Sequence, residues 1–370
     1  MIKINKIIIR TDASLRIGSG HVMRCLTLAV ALRDLEAEVQ FVCRKHVGNL
    51  IVLIRRKNFI VHELPVSGNL EFSAVSENNS EHEPENWFGT SQEQDVAETI
   101  NVIQEIHPDW LIVDHYSLGQ IWETKLRPHV RKIMVIDDLA NRPHDCDLLL
   151  DQNYFMDGTT RYEGLVPESC TKLLGLQYVL LRSEFAEVKK HLSPKSGNVR
   201  RIFLFFGGSD PDNLTGRALE ALSDHGLNYL NVDVVIGESN RNRGSVEKLV
   251  SKRKNTQLYI QIDNIAQLMG EADLALGTGG STTWERLFLG LPAITIINAV
   301  NQKQVTEDLE QFGAIWNLGW HEDVSTSTLA NTIAQALENP KALKTMSEKA
   351  LTIFNNYEEP DWLRSHLFIP

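Results

Sequence analysis

The sequence predicts an α/β protein of two domains, each a parallel sheet covered by helices on both faces, with a crevice between the domains. Three observations carry this expectation. Short apolar runs alternate with amphipathic segments through both halves of the chain, the pattern of strands buried on two faces by crossover helices. A charged stretch containing Ser, Pro and Gly, residues 183–200, interrupts that alternation near its middle. Each half also carries one glycine-rich turn between a strand and a helix, the place where an open α/β sheet receives ligands. A chain of 370 residues is long for one core, which agrees with two. The divisions expected are residues 1–190, residues 191–345, and a segment 346–370 that crosses back to the first domain, where its Trp, Leu and Phe side chains can be buried.

In the first half, strands are expected at residues 7–10, 39–44, 59–64, 110–116, 132–136, 148–150 and 175–182. Helices are expected at 21–36, 47–57, 91–106 and 119–126. Residues 67–90 are polar and rich in Asn, Glu and Ser without a period, and read as a long surface loop. Polar residues gather where the strands finish: Asp12, Asp114, His115, Tyr116, Asp137, Asp138, Asp151 and Asn153.

The first glycine turn follows the first strand: Asp12-Ala13-Ser14-Leu15-Arg16-Ile17-Gly18-Ser19-Gly20-His21-Val22-Met23-Arg24. Gly18 and Gly20 let the backbone bend and approach a ligand. The N–H groups at the start of the following helix attract anions. His21 stands at that helix start, with Asp12 on the strand side and Arg24 one turn on, so a base, an acid and a cation converge where a phosphate-bearing molecule would sit. Two glycines also serve plain packing, and a His at a helix start also serves as a cap.

The second half is expected to hold strands at 201–206, 232–236, 257–261 and 273–276, a further strand after Gly290-Leu291-Pro292, and helices at 213–223, 245–252, 265–271, 325–338 and 340–355. Its first strand runs into Gly207-Gly208-Ser209-Asp210. The fourth runs into Gly277-Thr278-Gly279-Gly280-Ser281-Thr282-Thr283-Trp284-Glu285. Gly279 and Gly280 permit close approach, Thr278, Ser281 and Thr282 add hydroxyls, and the set suits a pyrophosphate. Glu285 suits the vicinal hydroxyls of a ribose. Asn301 and Gln302 follow the next strand on the same side.

Composition removes several classes. The formal net charge of −11 argues against a nucleic-acid partner, whose phosphates select basic surfaces. Cys25, Cys43, Cys146 and Cys170 are widely spaced with no C-x-x-C pair, so no zinc site is expected. No apolar stretch reaches membrane-span length, and the chain starts directly into a strand, so no signal peptide is expected. A monomeric cytoplasmic enzyme without cofactor or metal fits these features.

Glycine turns in both domains, with G-G-S-x-x-x-E followed by Gly290-Leu291-Pro292, resemble the Rossmann-like pair of the GT-B architecture. Residues 277–319 are similar to the UDP-binding half of the peptidoglycan N-acetylglucosaminyltransferases. The segment Gly18-Ser19-Gly20-His21-Val22-Met23-Arg24, with Asp114-His115-Tyr116 and Phe206-Gly207-Gly208-Ser209-Asp210, narrows the resemblance. Over residues 5–355 the chain is similar to the UDP-2,4-diacetamido-2,4,6-trideoxy-β-L-altropyranose hydrolases of pseudaminic acid synthesis, which supply sugars for surface polysaccharide and flagellin glycosylation. The resemblance implies a small-molecule UDP-sugar as substrate and water as the attacking group. It implies no metal, His21 as general base, Tyr116 in the sugar pocket, and Glu285 and Asn301 on the UDP side. Thr11 departs from the Ala more usual there, and residues 67–90 form an extra loop; neither touches the implied chemistry.

Chemically, such a hydrolysis needs the diphosphate charge stabilised by backbone amides and a water that loses its proton to a group with near-neutral pKa, as His provides. Inversion at the anomeric carbon is expected. Three alternatives stand beside this: a glycosyltransferase of the same fold, a non-catalytic nucleotide-sugar binder, and a metal hydrolase using Asp137, Asp138 and Asp151. Whether His115 or Tyr116 assists His21 is open at this level.

Overall fold

The computed structural model describes residues 5–67, 88–156, 158–223, 226–355, 357 and 362–368. Two units emerge, each with its own sheet and core.

The first unit is built from β1 (Lys6–Thr11), α1 (Gly20–Asp34), β2 (Glu38–Arg44), α2 (Ile51–Arg56), β3 (Ile60–Leu64), α3 (Gln92–Ile106), β4 (Trp110–Asp114), α4 (Gln120–Leu126), β5 (Lys132–Ile136), β6 (Leu148–Asp151) and β7 (Thr171–Leu174). The seven strands are parallel in the order β3-β2-β1-β4-β5-β6-β7. Strand side chains are apolar on both faces, as a parallel sheet with helices on each side requires. Ile7, Ile9, Phe41, Trp110 and Ile112 pack with Val22, Cys25, Leu28 and Leu32 of α1. On the opposite face Ile8, Val42, Leu111 and Val113 pack with Ile103 of α3 and Trp122 and Leu126 of α4.

The chain moves outward from β1 to β3 and then restarts at β4 on the other side of β1, a topological switch point. Thr11 of β1 pairs with Asp114 of β4, so Asp12 and His115, which follow them, come side by side.

The expected strand at 175–182 is displaced. Pairing ends at Leu174, because Gly175 adopts φ +99° and opens a 3-10 turn from Leu176 to Tyr178. Its apolar residues are buried without forming a strand: Val179 is fully enclosed, and the Leu180 N–H donates to Gln152 Oε1 at 3.0 Å. The loop expected at 67–90 lies for the most part outside the described residues. Its two ends meet, with Ser67 N–H donating to the Gly89 carbonyl at 3.1 Å.

The second unit holds α5 (Ser183–Lys190), β8 (Arg201–Phe205), α6 (Leu214–Ser223), β9 (Asn231–Ile236), α7 (Arg243–Lys252), β10 (Thr256–Ile260), α8 (Ile265–Glu271), β11 (Leu274–Thr278), α9 (Thr282–Phe288), β12 (Ala293–Ile297), α10 (Lys303–Phe312), β13 (Trp316–Trp320), α11 (Thr326–Glu338) and α12 (Pro340–Ile353). Its strands are parallel in the order β10-β9-β8-β11-β12-β13, with β8 beside β11 at the switch point. Ser325 caps α11 by accepting from the Thr328 N–H at 3.0 Å, as Ser at an N-cap does.

The units divide between Leu180 and Leu181, ten residues before the boundary expected at 190. The charged stretch there is not a linker at its start. It forms α5, whose Phe185 is fully buried and whose Lys189 ammonium lies 3.8 Å from the Phe288 ring centroid of α9. The return of the chain also comes later than residue 346, since α12 stays with the second unit. The final helix α13 (Trp362–Leu367) belongs to the first, where Trp362, Leu363 and Leu367 join the core. The Leu367 carbonyl accepts from Trp110 Nε1 at 2.9 Å and Asn5 Nδ2 at 3.0 Å.

All four cysteines are free and buried. No helix among the described residues is long and apolar enough to cross a membrane.

Candidate functional site

In the first unit, charged groups converge at the carboxyl ends of β1, β4 and β5. The turn between β1 and α1 is pinned by Ser14, whose hydroxyl accepts from the N–H groups of Arg16 and Ile17 and whose carbonyl accepts from Gly18 at 2.9 Å. Gly18 has φ +81°, a region that costs an L side chain about 1–2 kcal/mol. Gly20 is the exposed first residue of α1, and His21 the second.

His21 is 6% exposed, and its Nδ1 lies 2.5 Å from Asp114 Oδ1. That carboxylate, wholly buried at the end of β4, also accepts from Arg24 Nε at 2.5 Å and Nη2 at 2.6 Å, and from Cys25 Sγ at 3.4 Å. Burial alone would raise Asp114, but the Arg24 charge and then His21 outweigh it and hold the carboxyl well below the usual carboxylate range. A permanent carboxylate against Nδ1 puts the neutral ring's proton there and leaves Nε2 as the basic nitrogen. The Tyr116 ring meets His21 edge-on at a centroid distance of 4.4 Å. Its hydroxyl hydrogen-bonds to Asp138, and burial followed by that anion pushes it well above the ordinary phenol value.

Two expected ligand-binding residues turn inward. Arg24 was expected to reach a ligand. It is 8% exposed, and its guanidinium is taken by Asp114 and, at 2.9 Å, by Asp138; it positions the His21–Asp114 pair. Asp12 is fully buried, 2.8 Å from Arg10 Nη1, and accepts from the Arg44 N–H at 2.6 Å. Asp95 bridges Arg10 and Arg44 at 2.7 and 2.6 Å and accepts from Trp122 Nε1 at 2.9 Å. Charge pairing, from helix α1 to the ends of β4 and β5 for Arg24 and with Arg10 of the same strand for Asp12, draws both residues in and is invisible to periodicity. His115 is held by the same network. Its Nε2 is 3.3 Å from Asp12 Oδ2 and its Nδ1 accepts from the Ser117 N–H at 3.1 Å. Burial lowers its pKa.

Asp137 and Asp151 brace turns, while Asp138 pairs with Arg24 and Tyr116. Asp137 accepts from the Leu139 and Ala140 N–H groups and pairs with Arg142 at 2.9 Å. Asp151 accepts from the Asn153 N–H at 3.1 Å, and Tyr162 donates its hydroxyl between Asp137 and Asp151 at 3.1 and 3.0 Å. Burial and then Asp138 raise Asp151 to about 7. Among the described residues no group of three or more His, Cys, Asp and Glu is arranged to hold a metal ion.

In the second unit, the turns after β8 and β11 are neighbours through strand pairing. The Gly208 carbonyl accepts from the Gly237 N–H at 2.9 Å, and Ser209 is half-buried beside it. Asp210 caps α6, accepting from the Leu214 and Thr215 N–H groups at 2.9 Å. Thr278 closes β11 and is buried. Gly279 is buried too, and a Cβ there would strike Thr306 Oγ1 and press on Gln302 at 3.2 Å. Gly280 and Thr282 are half-buried, and Ser281 is exposed at the head of α9 without a side-chain cap bond. Asn301 and Gln302, in the 3-10 turn after β12, are half-buried, and Gln302 accepts from the Asn298 N–H at 3.3 Å. Gln302 lies against the glycine turn, with Asn301 beside it in the chain.

Glu285 Oε1 accepts from Arg182 Nε at 3.0 Å and Nη2 at 2.8 Å, while Oε2 has no hydrogen-bond partner among the described residues. Arg182, Asp114 as the partner of His21, and Asp138 as the partner of Arg24 escaped the sequence reading. Only their places at strand ends or just before a helix signalled them.

Against known proteins, residues 202–359 match the glycosyltransferase family 28 C-terminal domain. The UDP-2,4-diacetamido-2,4,6-trideoxy-β-L-altropyranose hydrolase of Campylobacter jejuni is 30% identical over 310 residues, 83% of this chain and 97% of that protein. An uncharacterised Methanocaldococcus jannaschii protein, MJ1062, is 28% identical over 82% of this chain, which spans only 58% of MJ1062. Among solved structures, the spinosyn rhamnosyltransferase SpnG superposes with a TM-score of 0.69 over 98% of this chain and all of that one, at 15% identity. That likeness establishes the fold as the two-domain α/β GT-B type. With 30% identity across nearly the whole Campylobacter protein, the chain belongs to the UDP-2,4-diacetamido-2,4,6-trideoxy-β-L-altropyranose hydrolase family.

Proposed function

We propose that this protein hydrolyses UDP-2,4-diacetamido-2,4,6-trideoxy-β-L-altropyranose to UDP and the free sugar, without a metal ion, as a step of pseudaminic acid synthesis. The observation that carries the reading is the His21–Asp114 pair: a carboxylate clamped by Arg24 holds Nδ1 at 2.5 Å, and no described residue takes Nε2.

In this mechanism water attacks the anomeric carbon as its proton passes to His21 Nε2. The bond from that carbon to the diphosphate oxygen breaks, its electron pair leaves with UDP, and the configuration inverts. Asp114 stabilises the imidazolium that forms. Tyr116 lines the sugar site. The second unit holds UDP: the turn at Thr278–Thr282 offers amides and hydroxyls to the diphosphate, and the unpartnered Glu285 Oε2 with Asn301 and Gln302 suits the nucleoside. His115 is unsuited as the base, since both its nitrogens face groups inside the first unit.

The test is UDP release in the presence of EDTA by the wild type and by His21→Ala, in water enriched in oxygen-18. The reading requires release by the wild type alone, with label in the sugar. Label in the UDP phosphate would refute attack at carbon, and loss of activity in EDTA would refute metal independence. A second reading, transfer of the sugar to an acceptor, draws on the family 28 match over residues 202–359. It predicts no release by the wild type until an acceptor is added.

A further inference from the structure

Arg286 follows Glu285 in α9, and its guanidinium is buried against the second glycine turn, 1% exposed. Nη2 donates to the Thr278 carbonyl at 2.8 Å and to Thr283 Oγ1 at 3.0 Å. Nε and Nη1 have no hydrogen-bond partner among the described residues. A Cβ on Gly277 would collide with Nη1 and with the Phe205 carbonyl, so the glycine lets the cation lie directly against the turn's backbone. Burial pushes this guanidinium down to about 10, with Glu285 opposing the shift; it is charged at neutral pH.

Three other buried arginines are paired with carboxylates. Arg10 has Asp12 and Asp95, Arg24 has Asp114 and Asp138, and Arg44 has Asp95 and Glu98. Arg253 has no carboxylate either and its Nε is without a partner among the described residues, but Nη1 and Nη2 together reach four acceptors, the Leu227, Leu230 and Lys254 carbonyls and Thr256 Oγ1. Arg286 has two acceptors, and the nearest carboxylate in sequence, Glu285, hydrogen-bonds to Arg182. A buried, under-bonded cation without counter-charge is costly unless an anion completes it.

We propose that Arg286 is the counter-charge of the bound diphosphate, attracting the nucleotide's phosphates through the glycine turn without contacting them. This rests on the second unit being the UDP-binding one. It makes Arg286 a positioning residue that discriminates nucleoside diphosphate from nucleoside.

The test compares UDP and uridine binding to the full chain, by calorimetry and ligand-observed NMR, in the wild type, Arg286→Gln and Arg286→Lys. Arg286→Gln is expected to weaken UDP about ten-fold while uridine stays within about two-fold, and Arg286→Lys to keep UDP within about three-fold. Equal weakening of both ligands by Arg286→Gln, unchanged UDP affinity, or a loss in Arg286→Lys as large as in Arg286→Gln would overturn the proposal. If Arg286→Gln does not fold, the Arg286→Lys affinity ratio decides alone. If neither folds, Arg286 serves the fold and the proposal is wrong. A wild type that binds UDP no better than uridine would instead refute the nucleotide reading of the second unit.

Discussion

The two glycine turns stand on either side of the switch point in two similar sheets, the first after β1 and the second after β11, the counterpart of β4, and are furnished in opposite ways. Around the first, charge is closed on itself: Arg24 lies between Asp114 and Asp138, and His21 is the one member whose second nitrogen no described residue takes. Around the second, the buried cation Arg286 has no paired carboxylate among the described residues, and the turn presents backbone and hydroxyls. Topology makes both turns candidate ligand sites. The balance of charge decides what each does, with the first suited to moving a proton and the second to receiving negative charge.

The strongest attack on this contrast is His21→Ala. UDP release should fall by about 10^3- to 10^4-fold while UDP affinity measured by calorimetry stays unchanged; a parallel loss of affinity would show that the first turn also binds the nucleotide. Next is Asp114→Asn, which keeps the shape but removes the charge that orients His21. A loss of roughly 10^2-fold in kcat, the low end of what a general base contributes, is expected. Arg24 would also lose its main partner, so thermal unfolding should report about 3 kcal/mol of destabilisation. Full activity in this variant would remove the orienting role.

A smaller effect separates the turns sterically. Gly279→Ala should cost about 1–3 kcal/mol of stability and weaken UDP binding, because its Cβ strikes Thr306 Oγ1. Gly20→Ala has open space around its Cβ and no positive φ, so its stability should stay within about 0.5 kcal/mol of wild type. Any loss of activity there would report ligand approach alone.

A last effect concerns pH and leaves both turns untouched. Asp151 titrates near 7 in the folded chain, because of burial and then Asp138, against 3.8 as its ordinary value. Between those values the folded state holds a proton that the unfolded state has released. Its contribution to stability is therefore present at low pH and is lost as pH rises toward and through 7. Denaturant unfolding at pH 5 and pH 8 should show a decline, on the order of 2–4 kcal/mol, that Asp151→Asn lacks. Equal slopes would place the Asp151 proton elsewhere.

Both sheets and both turns were legible in the sequence. Strands such as Ile7–Ile9 and Leu148–Leu150 are near-continuous apolar runs, and only burial on two faces accounts for that. His21 and Glu285 stand out as candidates from their positions past glycines. The partners of the charges were not. Arg24 belongs to Asp114 and Asp138 because β4 and β5 lie next to one another in the sheet, and strand order leaves no mark on local periodicity. Helix α5 hid behind its charges, since Phe185 alone anchors its buried face. Strand β13, Trp316–Trp320, was missed along with α10, because Asn317 and Gly319 break its apolar run and every residue of it is half-exposed.

The return of α13 to the first unit has a consequence for synthesis. Trp110 at the start of β4 finds its hydrogen-bond acceptor in Leu367, and Trp362 and Leu363 complete the same core. On the ribosome the second unit can emerge and fold as soon as its own strands are out. The first unit, begun earlier, must wait for α13, which follows the whole second unit in the chain. A nascent protein halted after α12 would therefore expose the apolar seat of α13, and chaperones would find their target in the half that was made first.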